Sequence, residues 1–414
     1  MSNKKQELQT LKGFRDLMPA EKRARDFVSE KLRETFINFG FSPLETPTLE
    51  YASLLLNKYG QEADKLIYTF EDRGGRRVGL RYDQTVPTAR VLAQYQSKLP
   101  QYFRRYQIQN VFRADKPQQG RFREFTQCDI DIFGSTSPLV DAEIIACSYQ
   151  AFRNVGFTQI ELKINDRQTL LTTLQPFATK RVDVFSIIQS IDKLDKQSPE
   201  QVTKELVAKG LSKTQADQIL VSIKKAEKSI NLKEIEQNLF ALGVPKKSVI
   251  FAPALARGLD YYTGMIFEIV IPEYGAGSCG GGGRYDNLIA DLGGPNIPAT
   301  GVAFGFDRMI EAATQLGLIP TTGGPQVLAS MLSKKTSIET LKAVNQLREQ
   351  GISVEIYPVF DKLGKQLKYA NQNNIPWVLI VGEDEVKNNQ ISLKNMASGE
   401  QQTISPEKSG QVLA

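Results

Sequence analysis

The chain has 414 residues, 41% of them hydrophobic and 24% charged, with a net charge of +6; this predicts two or three domains of an ordinary soluble globular protein. Histidine is absent, which excludes histidine acid–base catalysis, Ser-His-Asp triads and imidazole zinc sites. Cys128, Cys147 and Cys279 are too widely spaced for a disulfide framework or a Cys-x-x-Cys metal site. The first residues lack the apolar core of a signal peptide and no run is long enough to span a bilayer, so a reducing cytoplasm is the expected compartment.

In chain order, Pro19 opens a helix carrying Phe27, Val28, Leu32, Phe36 and Phe39 at helical spacing, and Gly40 closes it. Phe41 to Glu50 reads as an extended strand broken by Pro43 and Pro47, suited to an edge. Tyr68 to Asp83 reads as a hairpin around Gly74-Gly75. Tyr106 to Gly134 reads as two longer strands joined by a polar Pro/Gly loop, and a helix from Val140 to Val155 ends at Gly156. Hairpins dominate this stretch, so the sheet is predicted to be antiparallel.

From about Arg167 to Gly243, lysine, glutamine, serine and leucine replace glycine and aromatics, which predicts a helical insert. Residues 166–249 hold 14 Lys and Arg against 10 Asp and Glu, so this block carries most of the excess positive charge. Strand-like sequence returns at Tyr261 to Ile271, and Ile297 to Gly317 reads as strand then helix. The insert therefore splits an antiparallel core that is completed after it. Beyond a linker at Leu318 to Gln326 the rhythm becomes β-α-β-α-β, predicting a small parallel or mixed sheet. There Thr336 and Glu339 have the spacing of a capping box, on a helix carrying Leu341, Val344 and Leu347.

Four stretches carry chemistry. The run "SCGGGGRYD" (Ser278 to Asp286) lacks the Gly-Lys-Ser/Thr ending of a P-loop and follows a strand late in an antiparallel region, unlike a Rossmann loop. It reads either as a flexible turn or as a sheet surface kept bare for a ligand, with Arg284, Tyr285 and Asp286 reaching in from its end. "ARGLDYYTGMIFE" (Ala256 to Glu268) sets Arg257 and the Tyr261–Tyr262 pair just before a strand; adjacent tyrosines point to opposite faces, so at least one can line a pocket. "FRADKPQQGRFREF" (Phe112 to Phe125) interleaves Arg113, Arg121 and Arg123 with phenylalanines. That pattern suits guanidinium groups on phosphate with rings on a base, although solvated basic hairpins share it. Asp307 and Arg308 mark a strand-to-helix junction.

In this order the segments resemble the three motifs of class II aminoacyl-tRNA synthetases: the strand around Pro47, Phe112 to Phe125, and Gly301 to Arg308. "RGLDYYTG" and "GGGRYD" are similar to the paired histidine-binding motifs of histidyl-tRNA synthetases, and "LRYDQTVP" to the form seen in that family's archaeal and eukaryotic branch. The resemblance covers nearly the whole chain. It implies an α+β fold: a class II synthetase-like antiparallel sheet flanked by helices, with a helical insertion and a C-terminal α/β anticodon-binding domain. The expected division is a catalytic core at 1–166 and 250–318, the insertion at 167–249 and the anticodon-binding domain at 325–414.

The family further implies histidine activation with ATP, then transfer of histidine to the 3′ end of tRNA(His). By that resemblance Arg113 holds the α-phosphate and Arg121 the γ-phosphate end, with adenine between Phe125 and Arg308. Asp83, Thr85, Gln127, Asp131, Arg257, Tyr261, Tyr262 and Tyr285 bind histidine. Asp83 and Gln127 take its ammonium, Arg257 its carboxylate and the α-phosphate, and Asp131, Tyr262 and Tyr285 surround the imidazole. The glycine run would then be the floor on which the amino acid lies. Lys116 and Gln118 approach the tRNA acceptor end. Mg²⁺ accompanies ATP with no metal site of the protein's own, and a homodimer without membrane attachment is expected. Asp83 and Asp115 stand where many members carry glutamate. Two further readings stay open: a regulatory subunit of ATP phosphoribosyltransferase, which shares the fold without catalysis, and a class II synthetase for another amino acid.

Overall fold

A computed structural model describes residues 8–56, 64–116, 122–258, 261–320 and 324–413. The chain divides into two compact units, Met1–Ile319 and Pro320–Ala414. The first begins with α1 (Pro19–Asn38), where proline at the first helical position costs no hydrogen bond. Its Val28, Leu32 and Phe36 recur every fourth residue and are fully buried, each contributing about 1.5–3 kcal/mol.

The extended stretch after α1 forms two strands rather than one. β1 (Ser42–Pro43) pairs parallel with β5 (Phe103–Phe112) at the edge of the main sheet. β2 (Leu49–Tyr51) leaves that sheet and joins the hairpin β3 (Thr69–Glu71) and β4 (Arg77–Leu80) in a small one, ordered β2-β4-β3. The two prolines between Phe41 and Glu50 cannot donate to a ladder, which accounts for the break. The other strands are β6 (Glu124–Phe133), β7 (Glu161–Asp166), β8 (Val249–Phe251), β9 (Met265–Val270), β10 (Ser278–Arg284) and β11 (Ala299–Phe304). Among the described residues the main sheet has eight strands, ordered β1-β5-β6-β11-β10-β9-β7-β8. From β5 to β7 all pairings are antiparallel; only the two edges are parallel. The glycine run is thus an inner strand of this sheet, not a turn.

The two faces of the sheet belong to different cores. On one, Cys128, Ile130 and Ile132 of β6 pack with α1 and with the helix after β6 (Pro138–Val155). On the other, Phe103, Phe133, Ile266, Tyr262 and Tyr285 pack with α2 (Thr85–Tyr95) and with the insert. We label the helix after β6 α3 and the next ones α4 (Arg167–Leu174), α5 (Val184–Ile191), α6 (Pro199–Lys209), α7 (Lys213–Lys224) and α8 (Ile230–Ala241). Capping boxes Ser198/Gln201 and Ser212/Gln215 start α6 and α7. Leu232, Ile235 and Leu239 of α8 join the first core, whereas α4 to α7 build the second.

A last helix of this unit, α9 (Phe306–Gln315), follows β11 directly. In the second unit, β12 (Val327–Ala329), β13 (Val354–Ile356), β14 (Trp377–Ile380), β15 (Ile391–Asn395) and β16 (Gln401–Ile404) form a mixed sheet ordered β13-β12-β14-β15-β16. Its first three strands are parallel and its last three antiparallel. The capping box expected before α10 (Ser337–Glu349) is not made: Thr336 is buried with helical backbone (φ −98°, ψ −7°), and Glu339 pairs with Lys342 at 2.8 Å instead. Leu341 is exposed, and Thr340, Ala343, Val344 and Leu347 supply the buried stripe.

Candidate active site

The main sheet brings chemistry together by register. One row across it reads Arg105, Asp131, Gly301, Gly283, Ile266; the next reads Gln107, Asp129, Ala303, Gly281, Glu268. Residues of one row share a face. Gly281 and Gly301 make room for the protein's own side chains, whereas Gly280, Gly282 and Gly283 stand first against neighbouring backbone. A Cβ on Gly281 would stand 2.5 Å from Nη1 of Arg257, and one on Gly301 would collide with the Asp131 carboxylate. On β10 the face alternates, so Tyr285 reaches the cleft and Arg284 does not. Arg284 is buried in an ion pair with Asp141 at 2.9 Å and reaches Asp286 at 3.0 Å, while Asp286 also accepts from the Thr263 hydroxyl at 3.0 Å. The expectation that Arg284 and Asp286 reach into a ligand site is therefore corrected: they brace the end of β10.

Two adjoining chambers lie on this floor. The deep one, about 460 Å³, is lined by Asp83, Thr85, Arg105, Asp129, Asp131, Tyr261, Tyr262, Tyr285 and Gly301, among others. The outer one, about 440 Å³, is lined by Asp115, Phe122, Phe125, Ser278, Phe306 and Arg308, among others. Arg113, Gln127, Arg257 and Ala303 line both.

In the deep chamber Asp131 is held by Arg105 at 2.6 Å and accepts from the Tyr285 hydroxyl. Arg105 is 1% exposed, and removing one member of such a buried pair costs about 3–5 kcal/mol. Burial pushes Asp129 up to about 8 and moves Asp131 upward, with Arg105 opposing both. Burial also drives the Tyr262 and Tyr285 hydroxyls well above their ordinary range, so both stay protonated donors. The Tyr261 ring stands 4.4 Å from that of Tyr262 and is part-exposed at the rim. Asp83 accepts from the Val86 amide at 3.2 Å in the first turn of α2, which Thr85 opens.

In the outer chamber Arg113 lies 4.4 Å from the Tyr82 ring and 5.1 Å from the Phe125 ring, and donates to the Tyr82 carbonyl at 3.2 Å. Arg308, exposed, donates to the Ser278 carbonyl at 2.8 Å. Asp307 also lines this chamber and pairs with Arg15, at 2.7 Å, and with Arg25, tying α9 to α1. Lys116 is exposed on the loop after β5 and lines neither chamber. Arg121 and Gln118 lie outside the described residues.

The segment carrying Arg257 is held by its backbone. Asn165 donates to the carbonyls of Pro253 (3.1 Å) and Leu255 (2.8 Å), Asp192 accepts from the Ala256 amide (3.1 Å), and Arg167 donates to the Tyr262 carbonyl (2.7 Å). Arg257 itself pairs with Glu268 at 2.7 Å. Sequence reasoning missed Arg105, Asp129 and Glu268. The signal available was the alternation Arg105, Gln107, Gln109 in a strand otherwise rich in large residues, which marks a polar face that burial must satisfy.

Guanidinium groups at the edge of an antiparallel floor are the plan of class II aminoacyl-tRNA synthetases, and the comparisons with known proteins agree. A family model described as histidyl-tRNA synthetase matches residues 13–309, and one described as anticodon binding domain matches 326–414. The histidine–tRNA ligase of Cytophaga hutchinsonii is 38% identical, over 94% of this chain and 96% of that protein. That of Gloeobacter violaceus is 38% identical over 99% and 98%. The crystal structure of histidyl-tRNA synthetase from Nostoc sp. PCC 7120 superposes with a TM-score of 0.88 at 30% identity, covering 98% of this chain and 99% of that one. A Bacillus halodurans structure described as an ATP phosphoribosyltransferase regulatory subunit/histidyl-tRNA synthetase shares the fold at 21% identity, with a TM-score of 0.70. The chain belongs to the histidyl-tRNA synthetase family.

Proposed function

We propose that this chain is a histidine–tRNA ligase: it activates histidine with ATP to histidyl-adenylate and transfers histidine to the 3′ end of tRNA(His). The observation that carries this reading is the shared wall. Arg113, Gln127 and Arg257 stand where a chamber of guanidinium groups and rings meets a chamber of buried carboxylates and tyrosines. A carboxylate oxygen of the amino acid attacks the α-phosphorus there, the bond to the β-phosphate breaks, and pyrophosphate leaves. The attacking carboxylate is already deprotonated, so a chain without histidine needs no base for this step. Fixed guanidinium groups neutralise both anions and the charge that grows on phosphorus.

In this reading Arg113 and Arg257 are the catalytic residues. Arg113 and Arg121 take the phosphates, and adenine stacks between Phe125 and Arg308. Asp83, Thr85 and Gln127 face the ammonium, and Asp131, Tyr261, Tyr262 and Tyr285 the ring. Both ring nitrogens then have partners that a wrong side chain would leave unpaired, which rejects it strongly. Mg²⁺ would enter on the phosphates of ATP and add charge neutralisation there.

The basic insertion (167–249) lies along the acceptor arm by phosphate contacts, Lys116 and Gln118 approach the acceptor end, and the 325–414 domain reads the anticodon. The chain works as a cytoplasmic homodimer; among the described residues no helix is long and apolar enough to cross a membrane. ATP–pyrophosphate exchange over a panel of amino acids tests the reading. Exchange with histidine alone is expected. No exchange with any amino acid favours the regulatory reading, and exchange with another favours a different synthetase.

A further inference from the structure

On the cleft face of β6, Gln127, Asp129 and Asp131 follow one another at alternate positions. Asp131 has its partners in Arg105 and Tyr285. Asp129 does not. Its Oδ2 accepts from Nε2 of Gln127 at 2.8 Å, and Arg105 stays 3.9 Å away. Its Oδ1 is buried with no hydrogen-bond partner, and so is Oε1 of Gln127. Both side chains line the deep chamber. With Asp129 ionised, these are two unmet acceptors held out of water, each costing about 1–3 kcal/mol. A native site keeps such a pair for a donor that arrives with its ligand.

Charge identifies the donor. Arg105 is the guanidinium that Asp129 and Asp131 share, and the Asp83 carboxyl adds a further acidic group nearby. A hydroxyl or a water would fill the hydrogen bonds without balancing the carboxylates; a primary ammonium does both. We propose that Asp129 is a specificity-determining residue: with Gln127 it forms a buried acceptor pair that takes the α-ammonium of the amino acid. The proposal rests on the histidine-activating reading above and adds a residue to it.

A proton balance follows. Before the ligand arrives, burial holds Asp129 up to about 8, with Asp131 and Asp83 adding to the shift and Arg105 and Gln127 opposing it. Cys128 lies on the opposite face of the strand, and the Tyr262 and Tyr285 hydroxyls face the same chamber as neutral groups. Near neutral pH Asp129 is therefore a carboxylic acid. An ammonium beside it favours the carboxylate, so its proton leaves to solvent as the amino acid binds. Affinity for histidine accordingly rises with pH toward about 8, where this carboxyl ionises unaided.

The experiment compares the full-length protein with Asp129→Asn. In pyrophosphate exchange, the variant's KM for histidine is expected to rise on the order of 30-fold, with the KM for ATP changed less than about threefold. Calorimetry near neutral pH, in two buffers of different ionisation enthalpy, is expected to show about one proton released per histidine bound by the parent protein. Imidazole propionate, which lacks the amino group, releases none. Parent exchange with a variant KM within about twofold of parent overturns the proposal, as does histidine binding without proton release, a measurement that needs no variant. A parent protein that shows no exchange with histidine overturns the functional reading itself.

Discussion

The deep chamber is built from groups withdrawn from water, and the outer chamber from groups left at its edge. Arg105, Asp131 and Tyr285 are 1%, 5% and 6% exposed, and each is tied to another of the three. Arg308 is exposed and Arg113 half-buried, and they meet backbone carbonyls and aromatic rings. Rejecting a wrong side chain requires partners that are expensive to leave unpaired, hence burial. Gripping a polyanion requires charge and planar donors, which guanidinium groups supply even at a rim. On the proposed reading, selectivity is thus concentrated where side chains are fixed, and affinity for the nucleotide where they stay accessible.

The comparison breaks most sharply at the wall common to both chambers. Arg257→Ala is expected to lower pyrophosphate exchange on the order of 1000-fold or more while circular dichroism stays unchanged. A loss within tenfold would remove Arg257 from the chemistry. Gly301→Ala tests the deep chamber alone. Its methyl group would displace Asp131, so the KM for histidine is expected to rise about 100-fold and Tm to fall by several degrees, with the KM for ATP spared. Equal effects on both substrates would show that the chambers are not separable. Arg308→Ala should touch only the outer chamber, raising the KM for ATP about tenfold at unchanged Tm and unchanged KM for histidine. A shift in the histidine KM as large as that for ATP would contradict the division.

Much of the first unit was legible because its signals are local. Pro19 and Gly40 bound α1, Gly156 ends α3, and Gly74-Gly75 makes the hairpin between β3 and β4. Thr336 failed as a cap because its backbone is already helical and the residue is buried, so local chemistry yielded to packing. In the site, arginines and tyrosines were legible as motif residues: Arg113 and Arg257 line both chambers, Arg308 the outer one, and Tyr261, Tyr262 and Tyr285 the deep one. What stayed hidden depends on register between strands far apart in sequence. That Gly301 stands opposite Asp131, or that Arg105 faces the same residue from the other side, follows only once β6 lies between β5 and β11. The same parity separates Tyr285, in the cleft, from Arg284 behind it.

The split sheet also sets an order of assembly. β5, β6 and β7 leave the ribosome before β9, β10 and β11, which come only after the whole of α4 to α8. Until then Asp131 lacks Tyr285, and β6 presents an unpaired edge to solvent. Helices with local contacts close quickly, whereas pairing across so long an interval is slow. The insert therefore has time to fold before the late strands slot between β6 and β7.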